Sequence, residues 1–116
     1  MNKKQLKIIK NYIEINGGAT LDSRLNFTAL NRGYMVSLQG YEKKTTLKNL
    51  SNKMIKEYQK IATEKNAFIG FWMDDGVLYL DISINITNKL QAIATGRKNK
   101  QLAIYDLKEN QSIYIN

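Results

Sequence analysis

Three aspartates, Asp74, Asp75 and Asp81, lie within "GFWMDDGVLYLDISI", residues 70–84, an otherwise apolar run that also holds the only tryptophan, Trp72. Carboxylates in this number could hold a divalent cation or divide the roles of general acid and base. Few other side chains could do chemistry. The chain has no histidine and no cysteine, which removes the commonest metal ligand and general base, thiolate zinc sites and disulfides. Ser23, Ser37, Ser51, Ser83 and Ser112 lie in no nucleophile-elbow context. Neither "GG" at 17–18 nor "TGRKNK" at 95–100 matches the Gly-x-x-x-x-Gly-Lys-Ser/Thr of a phosphate-cradling loop.

The strands that carry the aspartates decide their use. Asp-Asp-Gly between two apolar runs is a strong hairpin signal, because Gly76 can take positive φ and Asp tolerates a turn. Strands are expected over 67–73 and 77–84. With Asp75–Gly76 as the loop, Met73 faces Leu78, Phe71 faces Leu80 and Ile69 faces Ile82. With Asp74–Asp75 as the loop, Phe71 faces Leu78 and Ile69 faces Leu80. Both registers keep the same residues on the same side, since they differ by an even shift. One side, from Ile69 to Ile84, is apolar and reads as core. The other carries Phe68, Gly70, Trp72, Val77, Tyr79, Asp81 and Ser83. Asp81 then stands roughly 17–20 Å from the turn tip at the rise of a strand, whereas ligands of one hard cation converge at about 2.0–2.6 Å. No catalytic residue, metal site or cofactor is expected, and Asp74 and Asp75 read as solvated turn residues. The aromatic side keeps three readings open: cover by a helix, stacking of bases as on RNA-binding sheets, or an exposed anchor for a protein partner, with Trp72 and Tyr79 as its anchoring residues.

Other elements must frame this hairpin. A helix is expected over 3–16, with Leu6, Ile9 and Ile13 in its apolar stripe, Ile8 and Tyr12 widening it, and Gly17–Gly18 as its stop. Residues 19–32 read as loop with at most a short extended piece. Residues 33–40 read as a strand, with Tyr34, Val36 and Leu38 on one side. A second helix is expected over 46–64, its stripe Leu47, Leu50, Met54, Tyr58 and Ile61, capped by Thr45 or Thr46. A third is expected over 88–98, with Asn88 and Gln91 as a capping pair and Leu90, Ile93 and Ala94 facing inward. A last hairpin is expected over 101–106 and 111–115. The order α-β-α-β-β-α-β-β describes a single α+β domain over residues 1–116: two layers, a mainly antiparallel sheet of about five strands, and three helices.

The charge is lopsided. The net +8 arises wholly within residues 1–66; charges balance in the remainder. Lys3, Lys7 and Lys10 share one face of the first helix. Lys53, Lys56 and Lys60 form a basic stripe on the second, about 80–180° round from its apolar side. Arg97, Lys98 and Lys100 end the third. Lysines there interact favourably with a helix C-terminus, or else contact phosphate. A localised basic field suits a polyanionic or acidic partner. No run reaches the roughly 20 apolar residues of a membrane span, and the basic start lacks a signal-peptide cleavage pattern. A cytoplasmic chain without membrane partners is expected.

"GYMVSLQGYE" (33–42), "IGFWMDDGVLYLDISINI" (69–86) and "AIATGRKNKQLAIYDL" (92–107) together resemble small proteins encoded by phages, plasmids and conjugative elements of bacteria. Gly70, Trp72, Asp74, Gly76, Tyr79, Asp81 and Ser83 fall on their recurring pattern, Gly-x-Trp-x-Asp-x-Gly-x-x-Tyr-x-Asp-x-Ser. The resemblance spans residues 33–107 and brings no catalytic residues. It implies a mobile-element context, in which short proteins antagonise host defence by binding, anti-CRISPR proteins among them. The expectation is a non-enzymatic inhibitor of a host defence nuclease, a Cas9-type effector or its guide RNA, inside the host cell. The nine basic residues above would make the contact, with Trp72 and Tyr79 as an anchor. The alternative is a basic accessory protein that binds nucleic acid. A metal-dependent enzyme using Asp74, Asp75 and Asp81 has the least support.

Overall fold

Asn2 opens the first helix by accepting a hydrogen bond from the Gln5 N–H at 2.9 Å, and Gly17, at φ 79°, closes it in the left-handed region. That helix, α1, runs over Lys3–Asn16 as its spacing predicts. The computed structural model describes residues 2–28 and 30–116; Ala29, within the segment read as loop, lies outside them. The order continues with β1 (Gly18–Leu21), β2 (Tyr34–Ser37), β3 (Lys43–Thr45), α2 (Asn52–Lys65), β4 (Phe68–Asp74), β5 (Val77–Ile86), α3 (Lys89–Lys98), β6 (Ala103–Asp106) and β7 (Gln111–Tyr114). The class is α+β as expected, but the sheet has seven strands among the described residues rather than about five.

Every pairing is antiparallel, in the order β1-β4-β5-β2-β6-β7, with β3 also on β5. The long β5 carries two short strands end to end along one edge: β3 beside Leu78–Leu80 and β2 beside Ser83–Ile86. The central hairpin takes the first of the two expected registers, with Met73 opposite Leu78, Phe71 opposite Leu80 and Ile69 opposite Ile82. Asp75 and Gly76 both hold positive φ, 49° and 79°, the conformation of a two-residue primed turn.

Two strands were not counted from the sequence, although β1 falls where a short extended piece was allowed. β1 follows directly on the helix-ending glycine, and its "GATL" shows no alternation. β3 is a lysine-bearing edge piece of three residues, and charge on an edge strand hides the pattern while protecting the edge. The second helix also begins six residues later than its stripe predicts. The Thr46 carbonyl and hydroxyl are occupied by a local turn, both accepting from Asn49 N–H at 3.1 Å. Ser51, extended at φ −122°, then caps α2 by accepting from Met54 N–H. Thr and Ser side chains outcompete the helical backbone here. Leu47 and Leu50 keep their inward side from within the turn, so the apolar spacing ran past the true helix start.

All three helices lie on one side of the sheet. Ile9 and Ile13 of α1 and Ile55, Tyr58 and Ala62 of α2 pack with Ile69, Phe71, Leu80 and Ile82. A second cluster joins Ala92 of α3 to Val36, Ile104 and Ile115; Val36 pairs with Ile84, which fixes it on the same side. Each buried Leu or Ile contributes roughly 1.5–3 kcal/mol. Two expected faces need correction. Ile8 and Tyr12 lie exposed, the Tyr12 ring tilted against that of Phe27 with ring centroids 4.3 Å apart. On α3, Leu90 and Ala94 face solvent, and Ala92 and Gly96 are buried instead. The reason is contact distance: a Cβ at Gly96 would stand 2.5 Å from Ile115 and 2.9 Å from Ile104. α3 presses its smallest residues onto the β6–β7 hairpin.

Candidate functional site

With the helices on one side, the other side of the sheet has no helix over it among the described residues. Antiparallel register places Thr20, Gly70 and Trp72 there from β1 and β4, and Tyr79, Asp81 and Ser83 from β5. Met35 and Ser37 of β2 and Tyr105 of β6 extend the row. Helix cover for the aromatic face is therefore overturned. The strand alternation assigned these residues to one face; it carried no information on which face three helices would choose.

The uncovered face curves around a cavity of about 640 Å³, with Asp81, Ser37, Ser83, Gly70, Trp72 and Tyr105 among its lining residues. A smaller cavity of about 170 Å³ shares Ser37, Trp72 and Asp81 and adds Glu42. Trp72 is 47% exposed and stacks on Tyr79, its cross-strand partner, with centroids 4.4 Å apart and ring planes 14° apart. The Lys44 ammonium sits 5.6 Å from the Tyr79 ring centroid, coming from β3 on the edge of β5 opposite to Trp72, and it is not among the larger cavity's lining residues.

Asp81 points outward with the open face but is not fully solvated. It is half-buried and accepts a hydrogen bond from the Ser37 hydroxyl at 3.0 Å. Gly70, directly opposite, gives it room: a Cβ at that position would land on the Asp81 carboxylate. Burial pushes the Asp81 carboxyl above its ordinary range. The Ser37 hydroxyl and a backbone hydrogen bond from Gly70 oppose that rise, and the Glu42 charge adds to it. Among the described residues the ion pair present is Lys43–Glu57, at 3.4 Å and exposed, so Asp81 has no cation beside it. Asp74 and Asp75 stay at the turn tip, remote from Asp81 along the strands. Among the described residues no three carboxylates cluster as a metal site would need.

The predicted basic residues divide among several places. Lys3, Lys7 and Lys10 line a groove of about 450 Å³ between α1 and the turn before α2. The structure adds Lys48 to them, a residue that spacing alone did not single out; Lys10 Nζ donates to its carbonyl at 3.2 Å. Lys53, Lys56 and Lys60 are exposed on α2 and do not line that groove. Arg97 is tied down, its Nε donating to the Ile115 carbonyl at 2.9 Å. Lys98 is exposed, and Lys100 borders a separate cavity of about 390 Å³ with Glu42 and Asn99. The three residues that end α3 thus differ in surroundings, Arg97 held to the chain's end and Lys100 at a cavity edge.

No helix of the described residues is long and apolar enough to cross a membrane. No protein-family model matches the chain, and neither a curated protein nor a solved structure shows detectable similarity to it.

Proposed function

We propose that this chain is a non-enzymatic binding protein of a mobile element that inhibits a host defence nuclease of the Cas9 type by contacting its guide RNA. One observation carries the reading: Lys3, Lys7, Lys10 and Lys48 converge on a single groove beside α1. Clustered lysines that neutralise neighbouring phosphates give affinity through counterion release, and a net charge of +8 favours fast association with a polyanion. The same charge is the wrong sign for mimicry of DNA. The mobile-element context rests on the resemblance, whose Gly70, Trp72, Tyr79, Asp81 and Ser83 all fall on the uncovered sheet face.

The experiment is co-purification with a guide-loaded Cas9-type effector, with and without the triple change Lys3→Glu, Lys7→Glu and Lys10→Glu. Retention that this triple change abolishes, and that a guide-free effector does not show, supports the proposal. Equal binding to any RNA or DNA, with log affinity falling steeply against log salt, favours a basic accessory protein using the same lysines. Absence of binding to both at modest salt ends both readings.

A further inference from the structure

The cavity on the open face has the opposite character to the lysine groove. Its lining residues include the Asp81 carboxylate and no lysine or arginine, and Glu42 stands on the other side of Asp81 in the adjoining cavity. In a chain of net charge +8, this is an acidic spot. It is bordered by a half-exposed indole and roofed by nothing from the helical layer.

We propose that this cavity receives an arginine side chain of a partner protein, its guanidinium paired with Asp81 and stacked on Trp72. A guanidinium is planar, so it can lie against an indole face while its forked N–H donors meet a carboxylate in the same plane. A lysine ammonium matches the charge but not the plane. Ser37 already donates to Asp81 Oδ2, which leaves lone pairs on both carboxylate oxygens for the incoming donors. The Ser83 and Thr20 hydroxyls supply further acceptors along the floor. Met35 and Leu107 offer apolar walls for the methylene stem. A volume of about 640 Å³ also admits the residues flanking the arginine, laid across the strands.

A nucleobase would satisfy Trp72, and the Watson–Crick edge of guanine would satisfy Asp81. It arrives with phosphates, however, and sheets that stack bases surround them with cations. This cavity has none in its lining. Charge therefore favours a protein segment over RNA at this face, and the inference stands on residues separate from the lysine groove.

Trp72, as the only tryptophan, reports on the site directly. Its fluorescence is followed while the whole chain is titrated with acetyl-Gly-Arg-Gly-amide and with its lysine and citrulline counterparts. The arginine peptide should saturate the signal, the lysine peptide should bind at least about tenfold more weakly, and citrulline should give no saturable change. Asp81→Asn keeps an acceptor for Ser37 and should weaken arginine binding at least about tenfold. Gly70→Ala keeps every charge, puts a methyl on the carboxylate's place, and should cost as much. Cooperative melting of each variant shows that the fold is retained. The proposal is overturned if citrulline matches arginine, if Asp81→Asn binds within about twofold of the parent, or if guanosine monophosphate saturates the cavity at lower concentration than the arginine peptide.

Discussion

The two sides of one sheet are built from the same strands, residue by alternate residue, yet they hold opposite kinds of matter. The helical side buries an unbroken apolar row, Ile69, Phe71, Leu78, Leu80 and Ile82, each at 2% exposure or less. The open side interleaves aromatic rings with Thr20, Ser37, Asp81 and Ser83. The helical side is what holds the chain folded. The open side carries a half-buried carboxylate without a cation, an arrangement that folding alone does not favour. Where a fold tolerates such a group, a ligand is a physical reason for keeping it.

Substitutions on alternate residues of β5 and β4 break that comparison or sharpen it. The largest effect is expected on the helical side: Ile82→Ala should lower the unfolding free energy by about 2–5 kcal/mol, read from urea melts. A loss under about 1 kcal/mol there would mean that the helical layer packs loosely. Trp72→Ala on the open side should cost much less, about 1 kcal/mol, chiefly the stack on Tyr79.

Asp81→Asn should change the sign. The folded state raises this carboxyl above its ordinary 3.8. The native chain therefore holds the proton more tightly than the unfolded one, and the associated stability is present below that value. It is lost as pH rises through the folded pKa. At neutral pH the parent bears the cost of a desolvated charge, and Asp81→Asn should melt at a higher temperature. The gap should close on acidification below the ordinary carboxyl range. Asp22 makes the contrasting case. Its carboxylate accepts from the Asn26 and Arg24 N–H groups, which lower its pKa, so its contribution is present above the ordinary value and lost as pH falls.

Much of this comparison was legible in the residues. The alternation of "GFWMDDGVLYLDISI" assigned every side chain of the central hairpin to its face, while its register stayed open between two turns until the structure placed Asp75 and Gly76 at positive φ. Helix α1 and the Asn88 cap of α3 also followed from local signals. What stayed hidden was tertiary. The face chosen by the helices depends on packing between elements distant in sequence. The small face of α3 is dictated by Ile104 and Ile115, which its own periodicity cannot reveal. Lys48 and Ser37 entered their sites through neighbours brought close by the fold, across separations of 38 and 44 residues.

The hairpin of β4 and β5 is both the middle of the sheet and its most local pairing, closed by a two-residue turn. β1, β2 and β6 join it only across longer loops, whose closure takes conformational entropy before any contact forms. Gly70, Trp72, Tyr79 and Asp81 are set against one another by contacts local in sequence, and the margins of the sheet need long-range closure. The acidic cleft is thus half local and half tertiary: the hairpin supplies Gly70, Trp72 and Asp81, and Thr20, Ser37 and Tyr105 complete it from strands distant in sequence.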